Sequence, residues 1–289
     1  MEKISVLMPV YLTQEQHLRE AMESILAQTF GDFEFLILND SPEAAYIDDI
    51  VASYADSRIR YFRNAENIGI SESRNKLIDL ARGEYLAVMD HDDISCPERF
   101  EKQVAFLDSH PEVGVVGCHS ETISESLKKR KLYTPPVKDH DIKVSLIRNC
   151  VILHPTAMIR KCVLLDNNIR YEACFSPAED YALWCRLIPC TRFYNVPEVL
   201  FKYREHETNT SKVKDIEMVK STIAIHAFVE VENPVLFREY QDRAIHKTRI
   251  RLFGFIPFIT IKVRRNRGRV FLFEVIPLFT FKKVSVFKD

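Results

Sequence analysis

The stretch that decides the fold is Tyr85-Leu-Ala-Val-Met-Asp-His-Asp-Asp-Ile-Ser-Cys-Pro97, in which an apolar run stops abruptly at three carboxylates. The run has the composition of a strand that is buried on both faces of a parallel sheet. Open α/β sheets bind ligands at the carboxyl ends of their strands, and Asp90, Asp92 and Asp93 stand at such an end. Because Mg²⁺ and Mn²⁺ prefer carboxylates together with substrate phosphates, the stretch indicates a divalent-metal site. An acidic, solvated turn is the alternative.

On the N-terminal side of this stretch, strand-like and helix-like segments alternate. The apolar, β-branched runs predict strands at Ile4–Tyr11, Phe33–Leu38 and Ile59–Phe62. The helical spacing of apolar residues predicts helices over about residues 18–30, Ile47–Tyr54 and Ser71–Ala81. Such alternation predicts an α/β fold with a mainly parallel, doubly wound, Rossmann-like sheet. Right-handed crossovers would then bring Tyr11, Asp40 and the three aspartates to one edge.

Length and composition fit an enzyme of the cytoplasm. The chain of 289 residues can form one α/β domain with an appendage. Its formal net charge of −1 gives no bias toward nucleic acid, and its 7 scattered cysteines are typical of reduced thiols. We expect neither a secretory signal nor a membrane span, since no apolar run reaches about 18 residues. The 7 glycines form neither of the common phosphate-binding loop motifs.

Nine short motifs resemble, in order and spacing, the inverting family 2 glycosyltransferases of the GT-A fold. They are Ser5–Tyr11, Ser24–Phe30, Leu38–Ser41, Asn67–Gly69 with Ser73–Asn75, Gly83–Tyr85, Met89–Asp93, His154–Arg160, Ala178–Leu187 and Tyr203–His206. The resemblance covers about residues 1–212. It implies metal-dependent transfer of a sugar from a nucleotide sugar, expected to be a UDP-sugar. The implied acceptor is a hydroxyl of a bacterial surface glycan, as in lipopolysaccharide or capsule, or of a lipid-linked precursor.

The resemblance also implies a metal site. Asp92 would be the direct ligand of Mn²⁺ or Mg²⁺, and Asp90 would contact the ribose or the metal shell, with Asp93 supporting them. His206 would complete the shell or lie near the diphosphate, and imidazole is a competent ligand. An exposed loop histidine is the alternative for His206.

The nucleotide side of the implied donor site involves four more residues. Asp40 would accept the uracil imide N–H, Pro9 and Tyr11 would border the nucleotide, and Arg74 would contact a phosphate or the ribose. The alternative for Asp40 is an Asx-turn ahead of Pro42. The alternative for Arg74 is a solvated charge on a helix face.

An inverting displacement also needs a carboxylate that takes the proton from the acceptor hydroxyl. We expect Asp180, in the pair Glu179-Asp180, to be this catalytic base, with simple helix capping as the alternative. Trp184 and His154 would border the acceptor, since flat aromatic faces suit sugar rings. Their alternatives are a core tryptophan and a histidine that is satisfied by the backbone.

The predicted domains are 1–215, the catalytic GT-A domain, and 216–289, a helical and hydrophobic-basic appendage. Residues 216–250 look helical. An apolar segment at Leu252–Lys262 repeats twenty positions later at Leu272–Lys282, with four arginines between the copies. The tail at 252–288 is therefore either packed on the protein as strands or short segments, or attached peripherally to the inner face of the cytoplasmic membrane.

Two rival functions stay open at this point. A sugar-phosphate nucleotidyltransferase also uses an α/β sheet and carboxylate-bound metal, but it would carry a Gly-rich, lysine-bearing loop where this chain has Val10–Gln14. A non-catalytic module that binds a nucleotide sugar is the second rival. The presence of Asp92 and Asp180 weighs against it.

Overall fold

The computed structural model describes residues 2–124, 131–206, 213, 215–243, 246–252, 256–264, 267–272 and 276–282. The chain forms two compact units, Met1–Val229 and Glu230–Asp289. The predicted boundary at residue 215 coincides with the beginning of a helix, Asp215–Glu232, that belongs to both units. The predicted division into domains stays a prediction.

The first unit alternates strands and helices, as its sequence pattern predicts. Its strands are β1 (Ile4–Val10), β2 (Phe33–Asn39), β3 (Ile59–Arg63), β4 (Tyr85–Val88), β5 (Ile94–Ser95), β6 (Val113–Ile123), β7 (Lys131–Tyr133), β8 (Met158–Arg160) and β9 (Arg192–Arg204). Its α-helices are α1 (Glu15–Leu26), α2 (Ala45–Ala52), α3 (Ile70–Leu80), α4 (Arg99–Ser109), α5 (Asp139–Leu146), α6 (Lys161–Asp166), α7 (Glu179–Leu187) and the beginning of α8 (Asp215–Glu232). Two 3₁₀ turns lie at His154–Thr156 and Ala173–Phe175.

The strands form one sheet in the order β3-β2-β1-β4-β8-β6-β9-β5, with β7 beside β6. The first four strands in this order are parallel, β8 is antiparallel to both of its neighbours, and β6 and β9 are again parallel. The predicted α/β class with a mainly parallel sheet is confirmed. The register pairs Val10 with Asn39 and Leu7 with Val88, so the carboxyl ends of β1, β2 and β4 lie at one edge.

Burial explains why β1 and β4 are nearly continuous apolar runs. Every residue of β1, β2 and β4 is buried, and α1 packs Leu18, Met22 and Ile25 into the same core. The chain reaches β4 by a very close approach at Gly83, where a Cβ atom would lie 2.5 Å from the backbone nitrogen of Ser5. Only glycine permits this approach. It fixes the position of β4 beside β1, and with it the position of the aspartates that follow.

The second unit holds the end of α8, the helix α9 (Pro234–Arg243) and four strands. The strands are β10 (His246–Leu252), β11 (Ile256–Arg264), β12 (Arg267–Leu272) and β13 (Ile276–Lys282), and they form an antiparallel sheet in chain order. The prediction of helix through residue 250 is therefore wrong from His246 onward. The reason is visible in Thr248-Arg-Ile-Arg-Leu252, where basic and apolar residues alternate with period two and favour a strand.

The described parts of the two repeat copies occupy equivalent strand positions. One copy begins at the end of β10 and continues through β11, and the other begins at the end of β12 and continues through β13. The register shifts between Ile250 and Arg251 in one hairpin and between Val270 and Phe271 in the other, again twenty positions apart. The repeat is thus a duplicated β-hairpin. Within the described residues, no helix is long and apolar enough to cross a membrane.

Candidate functional site

Asp92 and Asp93, two of the three aspartates that follow β4, are held by Arg204 at the end of β9 and by His206 just after it. His206 Nε2 lies 2.8 Å from a carboxylate oxygen of Asp92. The Nε atom of Arg204 donates to the carbonyl of Asp92 at 2.7 Å, and the amide of Arg204 donates to the carboxylate of Asp93 at 2.7 Å. Arg204 also pairs with Glu20 of α1. Asp92 and His206, each predicted to contact the metal, therefore lie in direct contact, and their role at a metal stays a prediction.

The donor set around Asp92 fits a divalent cation. Two ligands that are bound side by side at about 2.1 Å from one cation lie about 3 Å apart, close to the contact between Asp92 and His206. Mg²⁺ takes its remaining ligands from waters and substrate phosphates. In the described part of the chain, no group of three or more His, Cys, Asp or Glu is arranged to hold a metal ion. A cation held by Asp92 and His206 would therefore take its remaining ligands from water and phosphate.

Asp90 lies differently from Asp92. Its carboxylate is 3.5 Å from Nη2 of Arg74, and burial raises its pKa, with Arg74 opposing the rise and the Asp92 charge adding to it. Asp93 is fully buried, and burial, together with the neighbouring aspartates, raises its pKa well above the usual value. The structure thus brings Asp92 and His206 together, while it pairs Asp90 with Arg74 and leaves Asp93 in the interior.

Asp40 lies in a cradle of hydrogen-bond donors at the end of β2. One carboxylate oxygen accepts from Asn64 Nδ2 at 2.7 Å and from the amide of Ile68 at 3.0 Å, and the other accepts from the amide of Gly69 at 3.0 Å. A carboxylate has about four acceptor positions, so one is left for a ligand N–H. The Asx-turn here belongs to Asn39, whose side chain accepts from the amide of Ser41 at 2.8 Å. The turn alternative for Asp40 is therefore wrong.

The loop after β1 borders the same edge. Tyr11 is 48 % exposed, and Pro9 is buried within β1. Leu12 has a φ of 40°, an uncommon conformation for a residue other than glycine, and its amide donates to Ser41 Oγ at 2.9 Å. Such strained positions concentrate at ligand sites. No sequence pattern indicated the conformation of Leu12.

Arg74 of α3 connects two distant parts of the chain. It is 7 % exposed, and its Nη1 atom donates to Glu179 at 2.6 Å while its Nη2 atom faces Asp90. Its guanidinium also lies over the ring of Tyr171, 5.4 Å from the centroid. The alternative of a solvated charge on a helix face is therefore wrong. Arg74 is paired with two carboxylates, which leaves its predicted contact with a phosphate or ribose a prediction.

Glu179 and Asp180 begin α7, but they are held in different ways. Glu179 is buried against Arg74, whereas Asp180 accepts only from the amide of Tyr181, at 2.7 Å, among the contacts the structure describes. Burial raises the pKa of Asp180 to about 6, the charges of Glu179 and Asp90 add to the rise, and Arg74 opposes it. A general base works best when its pKa is near the operating pH. Asp180 has the properties of such a base, whereas Glu179 has those of an anchor for Arg74.

Trp184 and His154 lie inside the protein. Trp184 is 0 % exposed, so the expectation that its ring borders the acceptor is wrong, and the core alternative holds. His154 is 4 % exposed, and its Nε2 atom pairs with the hydroxyl of Tyr171 at 2.8 Å rather than with the backbone. Burial lowers the pKa of His154 well below its usual value, and Arg74 adds to the effect. A neutral histidine therefore backs the buried network around Arg74.

Sequence reasoning missed several residues that shape this site. Arg204 stood inside a recognised motif, but only its neighbour His206 received a role. Asn64 holds Asp40 and is itself held by Lys76, whose Nζ atom donates to its side-chain oxygen at 2.6 Å. Tyr171 links His154 with Arg74. The position of Arg204 inside the motif Tyr203–His206 could have indicated its role, whereas no motif contained Asn64 or Tyr171.

The fold defines an α/β protein in which polar and charged residues gather at the edge where the strand order switches between β1 and β4. Glycosyl transferase family 2 matches residues 5–168, more than half of the chain. The chain belongs to this family, which settles the enzyme class against the nucleotidyltransferase and the non-catalytic module. Asp180 and His206 lie beyond the matched residues.

Relatives extend the similarity beyond the family match. An uncharacterized glycosyltransferase of Methanocaldococcus jannaschii is 33 % identical over 205 residues, 70 % of each chain. The O-antigen biosynthesis glycosyltransferase WbnJ of Escherichia coli is 30 % identical over 217 residues, 73 % of this chain and 83 % of its own.

Solved structures support the GT-A fold. TarS of S. aureus in complex with UDP-GlcNAc superposes with a TM-score of 0.64 at 19 % identity, covering 83 % of this chain and 72 % of its own. The mannosyltransferase PcManGT of Pyrobaculum calidifontis, in complex with GDP-Man and Mn²⁺, gives a TM-score of 0.56 at 15 % identity, covering 83 % of this chain and 73 % of its own. The predicted GT-A fold is confirmed.

Proposed function

We propose that this family 2 glycosyltransferase moves a sugar, with inversion, from a UDP-sugar to a hydroxyl of a bacterial surface glycan or its lipid-linked precursor. The observation that carries the proposal is the ion-pair network of Arg74. It joins Asp90, next to the metal-side residue Asp92, to Glu179, next to the base candidate Asp180. The proposed donor site and the proposed base would thereby be held in one buried arrangement, which a direct displacement requires.

On the donor side, Asp40 would accept the imide N–H of uracil at its one remaining acceptor position, and Tyr11 would lie against the base. The donors that fix Asp40 are two backbone amides and an asparagine, so its carboxylate is oriented before the ligand arrives. The TarS complex with UDP-GlcNAc supports a uridine nucleotide, and the PcManGT complex with GDP-Man supports the alternative of a guanosine nucleotide.

Asp92 and His206 would hold a divalent cation, with Asp90 at the ribose or in the outer shell. The cation would neutralise charge on the leaving diphosphate, which is its usual contribution to transfer of this kind. Arg204 would keep the Asp92–Asp93 backbone in position through two hydrogen bonds of 2.7 Å each. The Mn²⁺ found with PcManGT supports this assignment.

Asp180 would take the proton from the acceptor hydroxyl as that oxygen attacks the anomeric carbon. Its carboxylate stays available because the nearby cation, Arg74, is bonded to Glu179 instead. The similarity to WbnJ, an O-antigen biosynthesis enzyme, supports a surface-glycan acceptor. Such an acceptor is often carried on a lipid, which would make attachment of the tail at 252–288 to the inner membrane face useful.

The test is release of nucleoside diphosphate from a panel of UDP- and GDP-sugars, with Mn²⁺, with Mg²⁺ and with chelator. We expect slow release of UDP from one or a few UDP-sugars, dependent on the metal. Thermal shift on the same panel is the matching binding measurement, because a ligand of the native state raises its apparent stability. Release from GDP-sugars alone would overturn the uridine assignment, and equal release in chelator would overturn the metal assignment.

A further inference from the structure

The segment that leads into α7 precedes the proposed base. We call residues 170–178 the base loop. It contains the 3₁₀ turn Ala173–Phe175, and Asp180 follows it as the second residue of α7. Trp184 and Leu187 bury the body of α7 in the core, whereas the ends of helices fray. The position of Asp180 therefore depends on what holds the base loop.

The base loop is bonded to α3 through the backbone of Tyr171. Asn75 Nδ2 donates to the carbonyl of Tyr171 at 2.9 Å, and Asn75 Oδ1 accepts from the amide of Tyr171 at 3.0 Å. Tyr171 is 3 % exposed, and buried backbone groups need hydrogen-bond partners. A carboxamide offers both a donor and an acceptor in one plane, which neither a carboxylate nor an alkyl side chain does. One side chain, 96 positions away, thus satisfies both backbone groups of Tyr171.

Two consecutive residues of α3 hold the chain on both sides of this turn. Asn75 holds Tyr171, and Arg74 holds Glu179, the residue directly before the proposed base. The guanidinium of Arg74 also lies over the ring of Tyr171. The part of the chain that reaches the base is therefore fixed to one helix at its beginning and at its end.

Two further contacts of the base loop are weaker. Arg170 pairs with Asp79 of α3 at 2.7 Å, but these side chains are 36 % and 62 % exposed, and exposed ion pairs contribute little to stability. Ser221 of α8 donates one hydrogen bond to the carbonyl of Ser176, at 3.2 Å. Neither contact satisfies both backbone groups of a buried residue, as Asn75 does.

Helix α3 is also bonded to the nucleotide side of the site. The amides of Ile68 and Gly69, directly before α3, each donate to Asp40 at 3.0 Å. Lys76 of α3 donates to Asn64, which in turn donates to Asp40. A loop that is held on α3 is therefore held in a fixed relation to the cradle of Asp40.

We propose that Asn75 is a positioning residue for the transfer reaction: it holds the base loop on α3 and so places Asp180 relative to the bound donor. The inference rests on the proposed function and adds a residue to it. In the motif Ser73–Asn75, only Arg74 has a role in that function. The described hydrogen bonds of Asn75 go to Tyr171 and not to the residues proposed to hold the nucleotide. Its loss should therefore slow the chemical step and leave nucleotide binding as it is.

The first test is hydrogen exchange of the full chain with Asn75→Ala. Alanine has the highest helix propensity, so α3 itself should keep its structure. The matched control is Asn167→Ala, which removes the same group from an exposed residue at the end of α6, where it donates to the carbonyl of Val163 at 2.9 Å. We expect the amides of the base loop to exchange about tenfold faster in Asn75→Ala, because two hydrogen bonds are lost. The amides of Ile68 and Gly69 should exchange as in the wild type, and so should every amide of the base loop in the control.

Unchanged exchange of the base loop in Asn75→Ala would overturn the proposal. So would equally faster exchange throughout the first unit, since that result marks a general loss of stability. This measurement needs no substrate. If the wild type releases nucleotide from no sugar nucleotide, the proposed function fails, while exchange still decides whether Asn75 holds the loop.

The second test measures turnover and binding separately. With the UDP-sugar that the wild type hydrolyses in the presence of Mn²⁺, kcat of Asn75→Ala should fall about 10- to 100-fold, since a misplacement of about 1 Å can lower a rate about 100-fold. The Kd of UDP in calorimetry should stay at the wild-type value. An equal weakening of UDP binding would contradict a positioning role.

A double-mutant comparison shows whether Asn75 acts through Asp180. Residues that act as a unit have non-additive effects on the rate. In the Asp180→Asn background, Asn75→Ala should therefore lower kcat by no more than about twofold. A merely structural role would lower kcat by the same factor in both backgrounds, and that result would overturn the proposal.

Discussion

Two groups of carboxylates lie at the candidate site, and they differ in their hydrogen-bond and ion-pair partners. The metal-side cluster, Asp90–Asp93, contacts cations and donors from β9 and α3. The base-side pair, Glu179 and Asp180, has one member bonded to Arg74 and the other bonded only to a backbone amide in the described structure. In the proposed function, the same residue type would bind a cation in one place and take a proton in the other. The difference would arise from the partners of each group rather than from its sequence.

The largest effect should come from the base-side pair. Asp180→Asn should lower turnover by a factor on the order of 10² to 10⁴, the usual contribution of general-base catalysis. UDP binding should be retained, because the substitution leaves the donor site in place. Transfer rates and calorimetry on the same variant check this. Glu179→Gln is the control: it keeps an acceptor for Arg74 and should lose less, and near-full turnover in Asp180→Asn would refute the assignment.

Substitutions in the metal-side cluster should weaken nucleotide binding rather than the chemical step. Asp92→Asn removes a ligand charge and should weaken Mn²⁺-dependent UDP binding by at least about 100-fold, judging from the cost of disturbing metal sites. Asp32→Asn makes the same charge change at an exposed position and should bind normally. Titration calorimetry with and without Mn²⁺ separates the two. Unchanged Mn²⁺-dependent binding in Asp92→Asn would remove Asp92 from the metal site.

Asp180 of the base-side pair should also lower the free energy of unfolding at neutral pH. The pKa of Asp180 is raised in the folded state, so the folded protein holds its proton more tightly than the unfolded chain. Stability from this group is present at low pH and is lost as pH rises through about 6. Asp180→Asn should therefore unfold with a free energy about 1–3 kcal/mol higher at pH 7. Urea titrations at pH 7 and 4.5 measure it, and an equal gain at both values would contradict the argument.

The smallest effect should appear when Arg74, the cation between the metal-side cluster and the base-side pair, is replaced. In the wild type, kcat/KM should fall tenfold per pH unit below about 6, because the base must be ionised. Arg74→Met removes the cation that opposes the rise in the pKa of Asp180. The pH at which kcat/KM reaches half of its maximum should therefore move upward by about one unit. Arg74→Lys keeps the charge and should shift it less. A downward shift in Arg74→Met, measured on samples with an intact thermal transition, would break the link between the two groups.

Local patterns predicted the elements that are decided locally. The strands at β1, β2 and β4 follow from buried apolar runs, and the position of Asp90–Asp93 after β4 follows directly. The burial of Trp184 could not be predicted from the sequence, because an aromatic residue on a helix suits a core and a sugar site equally. The strand at His246 was missed because a helical pattern upstream was continued through a segment whose period had already changed to two.

The sequence by itself determined the family, the alternation of strands and helices from β1 to β4, and the carboxyl-end placement of the aspartates. Only the tertiary structure decided that Arg74 bonds to Glu179, 105 positions away, and that His206 bonds to Asp92, 114 positions away. The physical reason is the sequence distance over which each kind of information acts. Periodicity reports neighbours within one element, whereas the choice among many possible charged partners depends on strand order and register across the whole chain.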